Sequence, residues 1–546
     1  MTAIDSLQEL PAPGRPPVPP AAASARIRRP TDPRTLNRLA IGPPMALAAV
    51  LCLLGINDRS IGFDEAATLT IAHQHGSALG AAIAHDGGNM SGYYLLLHVL
   101  MSLFGDGELV LRMPSALAAV ATVGFVGAIA LRLFDRASAV GAGLLCAVSL
   151  PLVFWAQNAR GYALMVAFVC GAYLALVSLL GPAAYERPHT RAHTLVLWAA
   201  YALAMTLATY ASFVAVLVVP AQLVALCARS RRARVRPFLL ALGAYALLCI
   251  PLIVLASQRG SGQLFWVPRP TREIEQQVLQ MLTSAGLQPS FHATPTTILL
   301  MALTTIALLV IAVGGVRAHR RGEPSWAPAL ILTWLVVPVT LALVYSLFAQ
   351  PIFVPRNLLM SVPAVALVLA AGLRSPRLTR RTALILLGVT LLLRGAQVVP
   401  SYGASPEPWQ QAAALVLKEA QPGDCIAFYP LDSRMAFQYY FARSRVGHAP
   451  SEILPIAPWY STQIFVERYY VLLPSQIAYR GRGCRRLWFV TSHEGQRDGP
   501  SVSLDHLNRF KTLAARFELA FGSAPVRQLG YAAAIHIQLL PGPLHP

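Results

Sequence analysis

Eleven stretches of this chain are apolar for long enough to cross a bilayer, and their repetition limits the fold more than any single motif does. They are 40–57, 113–131, 137–155, 162–180, 194–210, 212–228, 237–256, 296–316, 327–348, 357–373 and 382–399. A helix rises about 1.5 Å per residue, so roughly twenty apolar residues cover a hydrocarbon core about 30 Å thick. Inside lipid the backbone has no water to bond to, so each stretch must satisfy its own amides as a helix. Charged residues make up only 12% of the chain, about half the share in an ordinary soluble domain. The expected fold is a polytopic α-helical membrane protein. Gly92–Phe104 is also apolar but stops at GDGE before it is long enough to span, so it is expected to be interfacial or re-entrant.

Charge supports this count. A net charge of +20 would suggest a nucleic-acid partner in a soluble protein. Here the arginines cluster in short runs between apolar stretches, the pattern that orients membrane proteins with basic loops in the cytoplasm. With eleven spans and a cytoplasmic N-terminus, the runs around Arg26–Arg38, Arg132–Arg136, Arg187–Arg191, Arg229–Arg236, Arg317–Arg321 and Arg374–Arg381 all fall inside. Before the C-terminal part, the outside keeps only Arg59, Arg112, Arg160, Arg259, Arg269, Arg272 and Arg356. Counting Gly92–Phe104 as a further span would invert every later loop. The partner expected from the charge is therefore a lipid bilayer and not nucleic acid. Residues 1–38, rich in Pro and Ala and without an apolar core, are expected to form a disordered cytoplasmic tail.

From about residue 400 the composition changes. WQQAAALVLKE reads as helix, PGD as turn and CIAFYP as strand; RLWFVTS and YAAAIHIQLL read as further strands, and SLDHLNRFKTLAARFELAF as an amphipathic helix. A small α/β domain over 400–546 is expected, outside the cytoplasm, without a Gly-rich phosphate loop or nucleophile motif. Five of the seven cysteines lie in apolar stretches. Cys425 and Cys484 lie in this domain and could pair as a disulfide in an oxidising compartment, or remain two thiols. The outer loop 257–295, with Phe265 and Trp266, reads either as a lid or acceptor groove or as an interfacial aromatic belt.

The chemistry concentrates in the first outer loop, 58–111. Asp64, Glu65, His85 and Asp86 lie beside the membrane, where ionisable groups are costly unless paired, wet or useful. A carboxylate of the Asp64–Glu65 pair can take a proton from a hydroxyl as a general base; equally, both can cap a helix starting near Ala66. His85 and Asp86 could orient an acceptor, hold a divalent ion or bond within the loop. Arg160, Arg356 and Arg112 fall on the same side, and a guanidinium fork suits phosphate oxygens; snorkelling or ion pairs with Asp64 or Glu65 would also account for them. Tyr93, Tyr94 and Tyr162 could stack on a sugar or belong to an interfacial belt. His98 reads as a core histidine.

RSIGFDE (59–65), HDGGNMSGYYLLLH (85–98), LRMPSALAAV (111–120), WAQNARGYAL (155–164) and PRNLLMSVPAVALVLAAGL (355–373) together resemble the GT-C glycosyltransferases. The likeness is to the family 39 protein mannosyltransferases and the lipid A aminoarabinose transferase among them. WQQAAALVLKEAQPGD (409–424) is similar to the start of the tail in bacterial members. Each motif is weak alone, but their order is specific to the family. One departure is local: the family's proline pair near Met90–Ser91–Gly92 is missing.

The resemblance implies an inverting transfer of mannose or an arabinose-type pentose from a polyprenyl-phosphate donor to a lipid, glycan or protein hydroxyl on the extracytoplasmic face of the cytoplasmic membrane. Asp64 would be the base, with Glu65 beside it. Arg160, Arg356 and Arg112 would meet the donor phosphate, and Gln157, Asn158, Tyr162 and Tyr93 would support the site. No cofactor is implied with certainty; a divalent metal is possible at His85 and Asp86. The rival readings are a transporter or flippase of lipid-linked sugars, against which the spans lack buried charge and broken pairs in corresponding halves, and a non-catalytic assembly scaffold.

Overall fold

A computed structural model describes residues 32–546 apart from 182–189, 228–234, 261–266, 268, 288–293, 322–325, 404, 430–432, 445–448, 455–471, 493–501, 523–526, 532–534 and 545–546. Most of the expected N-terminal tail, and Phe265 and Trp266 of the 257–295 loop, lie outside the described residues.

Eight helices among the described residues are long and apolar enough to cross a membrane, and ten spans result if each of two bent pairs counts as one. The bends have a cause in the sequence. Arg136–Ala147 and Leu150–Ala156 meet at 59°, and Val235–Leu248 and Ile250–Arg259 at 52°; the second helix of each pair carries proline in its first turn. Proline there lacks the N–H that a continuous helix would need. The stretch expected as a span at 212–228 is a shorter apolar helix, Phe213–Cys227; counted as a crossing it restores eleven, the number that leaves the unit after residue 400 on the same side as the 58–111 segment it contacts. The first helix, α1 (Pro33–Leu53), starts within the stretch expected as tail, with Asp32 accepting a hydrogen bond from the Arg34 amide. Leu195, Leu240, Leu392 and Phe348 stand well exposed on these helices, the surface a bilayer would cover.

The first outer segment folds as three short helices, α2 (Phe63–Ala72), α3 (Gly76–His85) and α4 (Ser91–Phe104), before the long α5 (Glu108–Leu133). At 14 residues α4 is too short to span, as its sequence suggested. The bundle core forms where α5 packs against α1, Arg136–Ala147 and Tyr162–Leu180. The helix Tyr162–Leu180 starts in close approach to its neighbour, where a Cβ on Gly161 would collide with the Ala211 carbonyl.

The C-terminal unit is a five-stranded mixed sheet in the order β2-β1-β3-β5-β4. Its strands are β1 (Asp424–Tyr429), β2 (Ser451–Leu454), β3 (Arg486–Thr491), β4 (Arg527–Tyr531) and β5 (Ile535–Leu540). β2 and β3 run parallel to β1; β5 is antiparallel to β3 and to β4. Alternation sends Ile426, Phe428, Trp488 and Val490 to one face, where Trp409–Glu419 and Ser433–Arg443 continue the core of the membrane bundle. The opposite face buries Ala427, Leu487 and Phe489 against Leu513, Phe517 and Phe521 of the helix Val502–Phe521. Cys425 and Cys484 form a disulfide.

Candidate active site

The centre of the site is the first turn of α2. Gly62 is extended (φ −84°, ψ 173°) and the helix begins at Phe63, three residues before the start expected from sequence, so Asp64 and Glu65 both occupy its first turn. The free N–H groups and dipole of a helix start favour carboxylates. Adjacent helical residues point about 100° apart, and the two acids separate accordingly: one is buried, the other faces outward.

Glu65 is the buried one. Its Oε1 and Oε2 accept from Nε and Nη2 of Arg112, each at 2.9 Å. The Ala159 amide adds a third bond at 2.8 Å and the Gly62 amide a fourth at 3.3 Å. Arg112 is fully buried and also donates to the carbonyls of Ile56 (2.7 Å) and Arg59 (3.0 Å). A paired, bidentate charge of this kind can be buried only because its hydrogen bonds are met. The pair ties the end of α1, the start of α2 and the 157–161 turn to α5.

Asp64 faces outward, with 35% of its side chain exposed, and arginines from two distant segments converge on it. Arg356 Nη1 lies 2.8 Å from Oδ2 and Arg160 Nη2 lies 3.9 Å from Oδ1. Arg160 also donates to the Asp64 carbonyl (3.3 Å) and Thr68 Oγ1 (3.2 Å). Burial alone would lower the Arg160 pKa, but Asp64, with Tyr94, Tyr162 and Asp86, outweighs it and holds the guanidinium charged. Arg356 is set by the 3₁₀ turn Pro355–Ser361. That turn is folded back by Ser346 Oγ, which accepts from the Ile352 and Phe353 amides at 2.8 Å each, and by Trp334 Nε1 donating to the Met360 carbonyl.

The second acidic position closes the site from the side. Gly87, Gly88 and Met90 all take positive φ (62°, 79° and 59°), a left-handed path that costs most at Met90. Tyr94 is wholly buried and donates to Asp86 Oδ2 at 2.6 Å, so its ring is not available to a sugar. Burial raises the Asp86 pKa to about 6, against the opposing pull of Arg160 and the Tyr94 bond. Burial, and then Arg259, lowers the His85 pKa to about 4, so the imidazole is neutral near pH 7. Among the described residues no three His, Cys, Asp or Glu side chains converge as metal ligands, and Asp64 and Asp86 face guanidinium and phenol groups.

The supporting residues are mostly internal. Gln157 is buried; its amide donates to the Leu54 and Cys52 carbonyls (2.6 and 3.2 Å) and its Oε1 accepts from Arg59. Tyr93 is buried with its hydroxyl on the Leu111 carbonyl and Ser115, both at 3.0 Å. Tyr162 packs edge-on against Trp155. Asn158 Oδ1 is buried without a hydrogen-bond partner among the described residues. His98 bonds the Ala72 carbonyl through Nδ1 at 2.8 Å.

Sequence reasoning missed four contributors. Arg59, valued only for its charge, is buried, donates to the Phe154 and Gln157 carbonyls and lies over the Phe154 ring. Arg259, at the end of Ile250–Arg259, adds positive charge that is felt at His85 and Asp86 and lowers the pKa of both. Glu407 and Tyr440, from the C-terminal unit, bond the backbone just before Asp64. Nothing local in the sequence marks Glu407 or Tyr440, because their partners lie more than three hundred residues away.

Residues 92–255 match the family model described as dolichyl-phosphate-mannose-protein mannosyltransferase. The chain is similar to the solved structure of ArnT from Cupriavidus metallidurans in the apo state, at 12% identity and TM-score 0.57, covering 91% of this chain and 97% of that one. It is also similar to the same protein bound to undecaprenyl phosphate, at 13% identity and TM-score 0.54, covering 92% and 98%. AglB from Archaeoglobus fulgidus, in complex with an inhibitory peptide and a dolichol-phosphate, aligns at 12% identity and TM-score 0.52, covering 89% and 72%. No curated protein matches the sequence. The chain is a multi-pass membrane protein with the GT-C fold.

Proposed function

We propose that this protein is a membrane glycosyltransferase that moves a sugar from a polyprenyl-phosphate carrier to an acceptor hydroxyl on the extracytoplasmic face of the cytoplasmic membrane. One observation carries this reading: Asp64, Arg160 and Arg356, separated by 96 and 292 residues, meet at a partly open point beside the bundle. The family-model match to a dolichyl-phosphate-mannose enzyme, and neighbours bound to undecaprenyl phosphate and dolichol-phosphate, support a lipid-phosphate donor. The Cys425–Cys484 disulfide supports an outward, oxidising location for the C-terminal unit.

The donor phosphate would sit between Arg160 and Arg356, drawing both guanidinium groups away from Asp64. The acceptor oxygen then attacks the anomeric carbon from the side opposite the phosphate. The bond from that carbon to the phosphate oxygen breaks, and its electron pair leaves with the lipid phosphate, whose charge the two arginines stabilise. Asp64, freed of its partners, takes the acceptor proton, and attack from behind inverts the anomeric centre. Glu65 and Arg112, having no free hydrogen-bonding face, would position Asp64 rather than react. Neutral His85 and the Asp86–Tyr94 pair would orient the acceptor.

The test is transfer by the purified protein from radiolabelled polyprenyl-phosphate mannose and, separately, polyprenyl-phosphate arabinose to an extracted envelope-lipid, glycan or peptide acceptor. Label should move from one of these donors with an inverted anomeric centre, and not in the Asp64→Asn variant. Transfer that persists in Asp64→Asn, or product of retained configuration, would refute the assignment.

A further inference from the structure

The strand-and-helix unit after residue 400 reaches the active-site loop through side chains that leave its own fold. Phe63 is the first residue of α2, so its amide has no acceptor inside the helix; it donates to Glu407 Oε2 at 2.5 Å. The carboxylate thereby caps the helix that carries Asp64, and Trp409 Nε1 holds the same oxygen at 3.0 Å. Two residues earlier the Ile61 amide donates to the Tyr440 hydroxyl at 2.5 Å. That hydroxyl donates onward to Glu108 Oε1 at 3.1 Å, and Glu108 lies 3.7 Å from Arg112, the residue that grips Glu65. Ser60 completes the seam, its amide donating to Ser405 Oγ and its hydroxyl oxygen accepting from the Gln410 amide, both at 3.0 Å.

From this seam we propose that Glu407 and Tyr440 are positioning residues for the transfer reaction, so that the C-terminal unit completes the active site as well as covering it. Between them they fix two backbone amides within three residues of Asp64, from a part of the chain that supplies no reacting group. A shift of the α2 start would move Asp64 relative to Arg160 and Arg356 while leaving the guanidinium groups in place. The effect belongs on the chemical step, with donor binding spared. The inference rests on the functional reading above.

The experiment compares full-length Glu407→Ala, Glu407→Gln and Tyr440→Phe with the wild type, and with Gln438→Ala as a control on the exposed side of the same helix as Tyr440. Steady-state transfer from the active radiolabelled donor is measured alongside hydrogen exchange of the 60–65 amides. Misplacing a catalytic group by about 1 Å can cost on the order of 100-fold. Glu407→Ala and Tyr440→Phe should therefore lower kcat roughly 10- to 100-fold with KM for the donor unchanged. The 60–65 amides should exchange faster while the sheet stays protected. Glu407→Gln, which keeps an acceptor oxygen, should recover most of kcat. An unchanged kcat in both disrupting variants, or protection lost throughout the sheet, overturns the proposal. A wild-type protein inactive with every donor would instead refute the functional reading, while the exchange of residues 60–65 would still decide the positioning.

Discussion

Asp64 and Glu65 are neighbours in sequence, yet the two regions they enter obey different physics. Glu65 lies in a dry interior where Arg112 and two amides saturate its oxygens. Asp64 lies at a partly open surface where Arg160 and Arg356 approach without enclosing it. A buried, saturated ion pair resists exchange of partners, because separating it strands a charge in low dielectric. The Arg356–Asp64 pair, partly exposed on both sides, costs less to separate and can hand its guanidinium to an incoming anion. The difference teaches that one of two adjacent carboxylates can carry the fold while the other stays available for chemistry.

The sharpest way to break this comparison is to neutralise each acid in turn. Asp64→Asn should reduce turnover by about 100- to 10,000-fold, the usual worth of a positioned base, while the thermal melting point in detergent stays near that of the wild type. Arg112→Met should do the reverse at the level of the fold. Stranding Glu65 should cost about 3–5 kcal/mol of stability, read as loss of monodisperse protein on size exclusion. The double variant Glu65→Gln with Arg112→Met should recover part of that loss. If Asp64→Asn unfolds the protein and Arg112→Met does not, the division of labour is wrong.

A smaller effect is expected from the arginines. Arg356→Ala should lose on the order of 100-fold in kcat/KM, as for one donor facing a developing anion, and Arg356→Lys should regain part of it. Stability should change little, because the pair with Asp64 is partly exposed. Equal losses in Asp64→Asn and in Asp64→Asn combined with Arg356→Ala would indicate that the two act as a unit.

The smallest effects concern pH, where His85 and Asp86 oppose each other. Burial raises the Asp86 pKa to about 6, so the folded state holds its proton more tightly than the unfolded chain does. That contribution to stability is present at low pH and is lost as pH rises toward 6. Burial lowers the His85 pKa to about 4, so the unfolded chain binds the extra proton, and stability from this site grows between about pH 4 and 6.5. Asp86→Asn should therefore make the melting temperature climb more steeply over that interval, and His85→Gln should flatten or reverse the climb. Identical pH profiles for both variants and the wild type would contradict these environments.

Much of the architecture was legible because it follows from the length and polarity of segments. The apolar stretches became helices, and GDGE stopped Gly92–Phe104 short of a span. Strands were readable at CIAFYP, RLWFVTS and IHIQLL from β-branched and aromatic residues. The breaks near Val148 and Cys249 were signalled by Pro151 and Pro251, but apolarity alone merged each pair. The strands Ser451–Leu454 and Arg527–Tyr531 and the helix Ser433–Arg443 were not anticipated, because SEIL, RQLGY and SRMAFQYYFAR carry no clear apolar alternation or helical stripe of their own. At the site, motif order named Asp64, Arg160 and Arg356 together. An ion pair with Asp64 or Glu65 was one reading of Arg112, but the sequence could not choose that reading over phosphate contact or pick between the two acids, and it gave no sign of Glu407 on Phe63, since side-chain pairing across the fold leaves no periodic trace.

The central claim is that a lipid phosphate is received between Arg160 and Arg356, releasing Asp64. The most direct measurement is a structure of the purified protein with polyprenyl phosphate bound. The account predicts phosphate oxygens within hydrogen-bond distance of both guanidinium groups, with the Arg356–Asp64 contact lengthened and the Glu65–Arg112 pair unmoved. Phosphate bound elsewhere while Arg356 remains on Asp64 would contradict it.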